Sequence, residues 1–176
     1  VAISGNYDDV NRLCTEIADK YGWAFVNINL RPFYTEGAKT YGFEVAEQLG
    51  WKLPKHIVVP TAGGTILPKI AKGFEEMVKV GLVEDTHFSI HSAQAAGCAP
   101  VVNTLHRGGD LIEPVKPNTI AKSIAIGNPA DGYYVLGAVR KSSGWGESVT
   151  DAEIVEGIRL LARTEGIFTE PAGGTT

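Results

Sequence analysis

The segment that most limits the possible folds is His56-Ile57-Val58-Val59-Pro60 followed by Thr61-Ala62-Gly63-Gly64-Thr65-Ile66. The first five residues form a nearly continuous apolar run, the pattern of a buried parallel strand. The next residues are small and Gly-rich, and helical spacing then runs from about Thr65 to Val80. A strand, a tight turn and a helix in that order predict an α/β fold.

The same alternation runs along the chain. Asn6 is placed to cap a helix from about Asp8 to Tyr21, with Val10, Leu13, Ile17 and Ala18 at helical spacing. Trp23-Ala24-Phe25-Val26 reads as a short strand, as does the opening Val1-Ala2-Ile3. A helix is expected from Thr35 to about Leu49, with Gly50 as its stop. Thr86 to Ile90 reads as a further strand, and Val101 to Leu105 and Ala130 to Arg140 as helices. Thr150-Asp151-Ala152-Glu153 is a capping box opening a helix to about Arg163. The expected architecture is a three-layer α/β domain with a mainly parallel sheet.

Composition removes several classes of function. A 176-residue chain with 44% hydrophobic and 20% charged residues has the material for a real core. No apolar run approaches the ~20 residues of a membrane span, and the start lacks the pattern of a signal peptide. A net charge of -4 without a basic block argues against nucleic acid as a partner. Two cysteines, Cys14 and Cys98, cannot build a disulfide framework and read as thiols of a reducing compartment, the cytoplasm. Both chain ends read as cuts through a larger protein.

The Gly-rich turn is where the chemistry points. A strand that turns directly into a helix leaves backbone N–H groups unpaired at the helix's positive end. Such a place receives anions, phosphate above all. Gly63 and Gly64 allow close approach, and the Thr65 hydroxyl offers one more donor. A plain tight turn is the competing reading. Other phosphate motifs fail: GxGxxG is absent, and Glu36-Gly37-Ala38-Lys39-Thr40 lacks the Gly-Lys pair and upstream Gly of a P-loop. His87, His91 and Cys98 are poor metal ligands as a set, because on a strand the two imidazoles would lie roughly 13 Å apart. Ser89, Ser92 and Ser123 have no nucleophile elbow around them.

Several segments together resemble the threonine synthases, pyridoxal-phosphate enzymes of fold type II. They are Gly5-Asn6-Tyr7-Asp8-Asp9, the stretch from Asn27 to Thr40, the Pro60 to Ile66 turn and Ala93-Gln94-Ala95-Ala96-Gly97-Cys98. Ala125-Ile126-Gly127-Asn128-Pro129 and Gly166-Ile167-Phe168-Thr169-Glu170-Pro171-Ala172 complete the set. These occur in family order and cover nearly the whole chain.

The resemblance implies a lyase of threonine biosynthesis that turns O-phospho-L-homoserine and water into L-threonine and phosphate, with pyridoxal 5'-phosphate as cofactor. It implies that Ala62, Gly63, Gly64, Thr65 and Ile66 cup the cofactor phosphate and that Gly127 and Asn128 lie against the cofactor. Asn27, Asn29 and Arg31 fall where the family has residues near the substrate phosphate. Residues 1–28 are expected to belong to the family's smaller domain and 29–176 to the large, cofactor-bearing one. The family's Schiff-base lysine lies in a segment before Val1 and its Thr-Gly-x-Gly-Leu-Lys motif in one after Thr176, so no catalytic residue is assigned and the chain alone is expected to be inactive. Family enzymes are often dimers, which allows a homodimer here. A related lyase such as threonine dehydratase, or a non-catalytic module that binds phosphate ligands, remains an alternative.

Overall fold

The computed structural model describes residues 2–26 and 31–176. Helix α1 (Tyr7–Tyr21) opens on the expected cap: the Asn6 side chain accepts from the Asp9 N–H, and the Asp9 carboxylate accepts from the Asn6 N–H. Two short helices follow, α2 (Arg31–Gly37) and α3 (Thr40–Gln48). Then come β1 (His56–Pro60), α4 (Ile66–Lys79), β2 (Ser89–Ala95) and α5 (Pro100–Arg107). A 3₁₀ turn at Lys122–Ile124 precedes α6 (Gly132–Lys141), β3 (Gly146–Val149), α7 (Asp151–Glu165) and α8 (Pro171–Gly174).

The three strands lie in the order β1-β2-β3 and all pairs are parallel. Val59 and Ile90 point from one sheet face into a cluster with Leu67, Ile70 and Phe74 of α4, Val101 of α5 and Val135, Leu136 and Val139 of α6. The strong apolar stripe of α4 thus meets the sheet, as its sequence spacing predicts. At the C-terminal end of the other face, Ala95 joins Ala121, Ile124, Ile154 and Ala172 in a second cluster, with Val149 packed against it. Helices α7 and α8 cover that end alone: Val58 on the same face is 47% exposed. The expected burial of β1 on both sides therefore holds on one side only among the described residues.

Other boundaries also differ from those the sequence implied. Residues 23–26 form no strand, because no other strand among the described residues lies beside them to share a ladder. Ala2 and Ile3 are likewise outside any strand, and Val1 lies outside the described residues. The helix expected from Thr35 to Leu49 is divided at Ala38 and Lys39, where Ala38 N–H bonds the Thr35 carbonyl and Lys39 N–H bonds that of Glu36. These tight turn bonds set α2 and α3 at separate places on α4. Strand β2 begins at Ser89 rather than Thr86, since its pairing starts at His56↔Ser89, and it continues to Ala95. Strand β3 has no apolar alternation to announce it, and its ladder with β2 from Ser92↔Gly146 to Ala95↔Val149 makes it a strand.

Candidate cofactor and anion site

The exit from β1 is held rigidly from behind. The Thr61 N–H donates to the Ala93 carbonyl at 2.8 Å, and its hydroxyl accepts from Ser92 at 2.9 Å. Buried Gln94 donates to the Thr61 carbonyl at 3.1 Å and accepts from the N–H groups of Val101 and Val102, which ties the start of α5 to the same point. Beyond Thr61 the chain turns through Ala62, Gly63, Gly64 and Thr65 into α4. The backbone N–H groups of these four residues donate to no protein acceptor among the described residues. Thr65 makes no side-chain cap to α4, so the helix's positive end is open toward the turn.

Gly64 has a structural reason. Its φ is +93°, and a Cβ there would stand 2.8 Å from Val135 Cγ2 and 3.0 Å from the Asp131 carbonyl carbon. Gly63 has none: a Cβ there would meet only Ile126 Cδ1, at an ordinary 3.5 Å. Its lack of a side chain leaves the turn's donors accessible.

Residues 126–131 form the facing wall. The Asp131 N–H donates to the Gly63 carbonyl at 2.9 Å. The Gly127 and Asn128 N–H groups donate to the two carboxylate oxygens of Asp8, at 3.0 and 3.3 Å, which fastens the start of α1 to this wall. A Cβ on Gly127 would collide with the Val115 carbonyl oxygen at 1.9 Å. The structure thus brings the two expected cofactor segments, 62–66 and 127–128, to one place.

Arg31 arrives from α2. Its guanidinium pairs with Asp131, and Asp131 Oδ2 also accepts the Thr65 hydroxyl proton at 2.6 Å. The Thr65 donor that the sequence offered to an anion is therefore engaged by a carboxylate. The hydrogen bond to Asp131 raises the Arg31 pKa above its ordinary value, against the opposing effect of burial. Asn27 and Asn29 lie outside the described residues.

Arg31, Thr65, Lys69, Lys72, Asp131 and Tyr134 line a cleft of about 540 Å³. Glu36 at its rim accepts from Lys69 at 2.9 Å and Lys72 at 2.7 Å and pairs with Lys39 at 2.7 Å. Hydrogen bonds from Lys39, Lys72 and Lys69 hold the Glu36 carboxyl well below the usual carboxylate range. Sequence reasoning missed Asp131, Lys69 and Lys72. Asp131 fell inside the helix expected from Ala130 to Arg140, whereas it precedes α6 and makes no cap bond to it. The two lysines read as the solvated side of α4, and only folding places them beside Arg31.

The other polar residues are accounted for locally. His91 stands beside His56 rather than His87, with Nε2 3.1 Å from His56 Nδ1, and its Nδ1 accepts the Trp145 N–H. No group of three His, Cys, Asp or Glu side chains among the described residues could hold a metal. Burial pushes the Cys98 thiol up to about 11, with a further rise from Asp8, so it is a packing thiol rather than a nucleophile. No helix among the described residues is long and apolar enough to cross a membrane.

The sequence profile of the pyridoxal-phosphate dependent enzymes matches residues 1–176. The chain belongs to this family. Among curated relatives, the threonine synthase of Methanocaldococcus jannaschii is 37% identical and that of Methanosarcina acetivorans 38%, each over 100% of this chain and 43% of the relative. The chain thus spans less than half the length of the relatives it matches. Among solved structures, threonine deaminase isoform 2 of Solanum lycopersicum superposes with a TM-score of 0.73 at 17% identity, over 99% of this chain and 48% of that one. Threonine synthase from Escherichia coli gives 0.72 at 18%, over 99% of this chain and 41% of that one. At those identities the two structures show a shared fold.

Pyridoxal phosphate enzymes need a seat for a dianionic phosphate ester, and the donors present fit that need. Among the described residues, four N–H groups without a protein acceptor, an open helix N-terminus and a glycine that packing does not require stand together at the end of a strand. Strand ends of this kind are where open α/β sheets bind their ligands.

Proposed function

We propose that the complete gene product is a threonine synthase, converting O-phospho-L-homoserine and water to L-threonine and phosphate. The observation that carries this reading is the meeting of two anion-binding elements: the bare N–H groups at 62–65 and, one side chain away, the Arg31 cleft. In this reading Ala62, Gly63, Gly64, Thr65 and Ile66 hold the phosphate of pyridoxal phosphate, and Gly127 and Asn128 lie against the cofactor. Arg31 receives the substrate phosphate through the planar fork of its guanidinium; Asn27 and Asn29 join it by resemblance alone.

The bound cofactor supplies an electron sink for the carbon chemistry. This chain's part is to bind and orient. The rigid backing of Thr61 fixes the cup relative to the sheet, and Lys69 and Lys72 keep the cleft electropositive for a phosphate that arrives as substrate and leaves as product. No lysine here is assigned to the cofactor, and this chain alone is proposed to make no threonine.

Residues 1–28 are assigned to a smaller domain and 29–176 to the large one. The burial of only Ala18 in α1 supports that division. The O-phosphohomoserine substrate rests on the relatives' names and the anion-ready cleft, and a homodimer on the resemblance alone. Two unpaired thiols, Cys14 and Cys98, support a cytoplasmic location.

The test is product analysis of the complete gene product with O-phospho-L-homoserine and pyridoxal phosphate. Threonine and phosphate in equal amounts are expected. An oxo acid with ammonia would instead make it a deaminase and overturn the reading. Phosphorus NMR of pyridoxamine phosphate with the same protein should give a saturable shift that Gly63→Val weakens, because a branched side chain would stand over the donors.

A further inference from the structure

Asp131 is placed against the ordinary rules for its position. It is 6% exposed, it precedes α6 without capping it, and it stands beside a turn built to receive an anion. A buried carboxylate there repels an incoming phosphate unless its charge is balanced. The balance comes from Arg31, the first residue of α2, whose guanidinium pairs with Asp131 Oδ2. That same oxygen takes the Thr65 hydroxyl proton, and the Asp131 N–H holds the Gly63 carbonyl. One residue thus joins both sides of the turn to the helix that carries the cleft's arginine. Such a local sacrifice, a helix left uncapped and a charge buried, points to a functional role.

We propose that Asp131 is a positioning residue that couples the cofactor-phosphate cup to the substrate-phosphate arm, the Arg31–Asp131 pair being the link between them. Asp131 aims Arg31 along the cleft from the edge of the cup. Arg31 in return screens the cup from the Asp131 carboxylate. This inference rests on the functional reading above, and it makes a prediction that reading does not. Arg31 lies outside the cup, yet removing it leaves the Asp131 carboxylate without its balancing cation beside the cup and weakens binding there. Removing both charges relieves the repulsion. Coupling of this kind is reciprocal.

The experiment is a double-mutant cycle on the complete gene product, stripped of cofactor and titrated with pyridoxamine phosphate by phosphorus NMR or fluorescence. Arg31→Ala is expected to weaken binding about tenfold, the scale of one unpaired charged group. The double variant Arg31→Ala with Asp131→Asn should recover most of that loss. With cofactor loaded, Asp131→Asn should raise KM for O-phospho-L-homoserine more than it lowers kcat, and Asp131→Glu should restore part of the affinity. The double variant should not regain KM, because Arg31 is itself the arm. If Arg31→Ala does not fold, Arg31→Gln takes its place in the cycle.

Unchanged pyridoxamine phosphate affinity in Arg31→Ala, or a double variant weaker than either single one, would overturn the coupling. Rescue by the double variant, with a wild-type protein that makes no threonine, keeps the coupling and removes the substrate assignment. An active enzyme with an additive cycle does the reverse. A wild-type protein that does not bind pyridoxamine phosphate at all overturns both the cup and the coupling.

Discussion

The layer of β1, β2, α4 and α6 and the segment of α1 and α2 are held by different forces. In the first, Val59, Ile90, Leu67, Phe74, Val135 and Leu136 are almost wholly removed from water. In the second, α1 buries only Ala18 and α2 buries no residue. Among the described residues, a set of carboxylates bridges the two regions. Asp8 of α1 binds the N–H groups of Gly127 and Asn128, Glu36 of α2 binds Lys69 and Lys72 of α4, and Asp131 of the first region binds Arg31. Apolar burial is non-directional and is not weakened by charge screening, whereas ion pairs and charged hydrogen bonds fix orientation and weaken as salt rises. The rigid layer therefore carries the Gly-rich turn, and the polar fastenings carry Arg31.

The sharpest way to break the contrast is Phe74→Ala. Phe74 is fully buried, with its ring edge-on to Phe88 at 5.2 Å. The substitution is expected to cost about 3–5 kcal/mol, read by denaturant unfolding. Next comes Gly64→Ala, which meets both the positive φ and the Val135 contact. A loss of about 2 kcal/mol is expected, together with weaker pyridoxamine phosphate binding. A loss of binding without a loss of stability would show that Gly64 serves the ligand alone.

Asp8→Asn tests the second region. It removes a charged acceptor from two backbone donors and should cost about 1–2 kcal/mol locally. Hydrogen exchange should quicken in α1 while α4 keeps its protection, and equal quickening in both would deny that the regions differ. The smallest effect is that of Glu36→Gln. Faster exchange in α2 is expected, and the difference from wild type should shrink at high salt, because Glu36 is open to solvent. The pH dependence has a defined sign. The folded Glu36 pKa is depressed, so its contribution is complete above the unfolded value of about 4.3 and is lost as pH falls toward the folded one. Protection of α2 should thus be constant down to about pH 4.3 and decline progressively below it. Loss of that protection at pH 5 would remove Glu36 from the account.

Legibility from sequence followed the same division. Strand β1, the turn and α4 were readable because an apolar run, small residues and a helical stripe are adjacent in the chain and each reports a local force. The cap at Asn6 and the capping box at Thr150 were readable for that reason, since a cap and its partner are three residues apart; the return bond from Asp9 that makes Asn6 a full box was seen only in the structure. The strand expected at 23–26 and the missed strand at Gly146–Val149 failed for the opposite reason. A strand exists only with a neighbour, and the residues of β3 become one because Ser92 to Ala95 lie alongside.

By itself, the sequence determined the α/β class, the Gly-rich turn between a strand and a helix, and the segments that resemble pyridoxal phosphate enzymes. Each of these rests on short-range pattern: periodicity, turn chemistry and the donors a helix leaves unpaired. Only the tertiary structure decided that Arg31 and Thr65 share Asp131, that Asp8 reaches Gly127 across more than a hundred residues, and that Lys69 and Lys72 face Glu36. A charged side chain on a helix reads the same in sequence whether it faces water or a partner. Its role depends on which distant chain segment packing brings within hydrogen-bond distance.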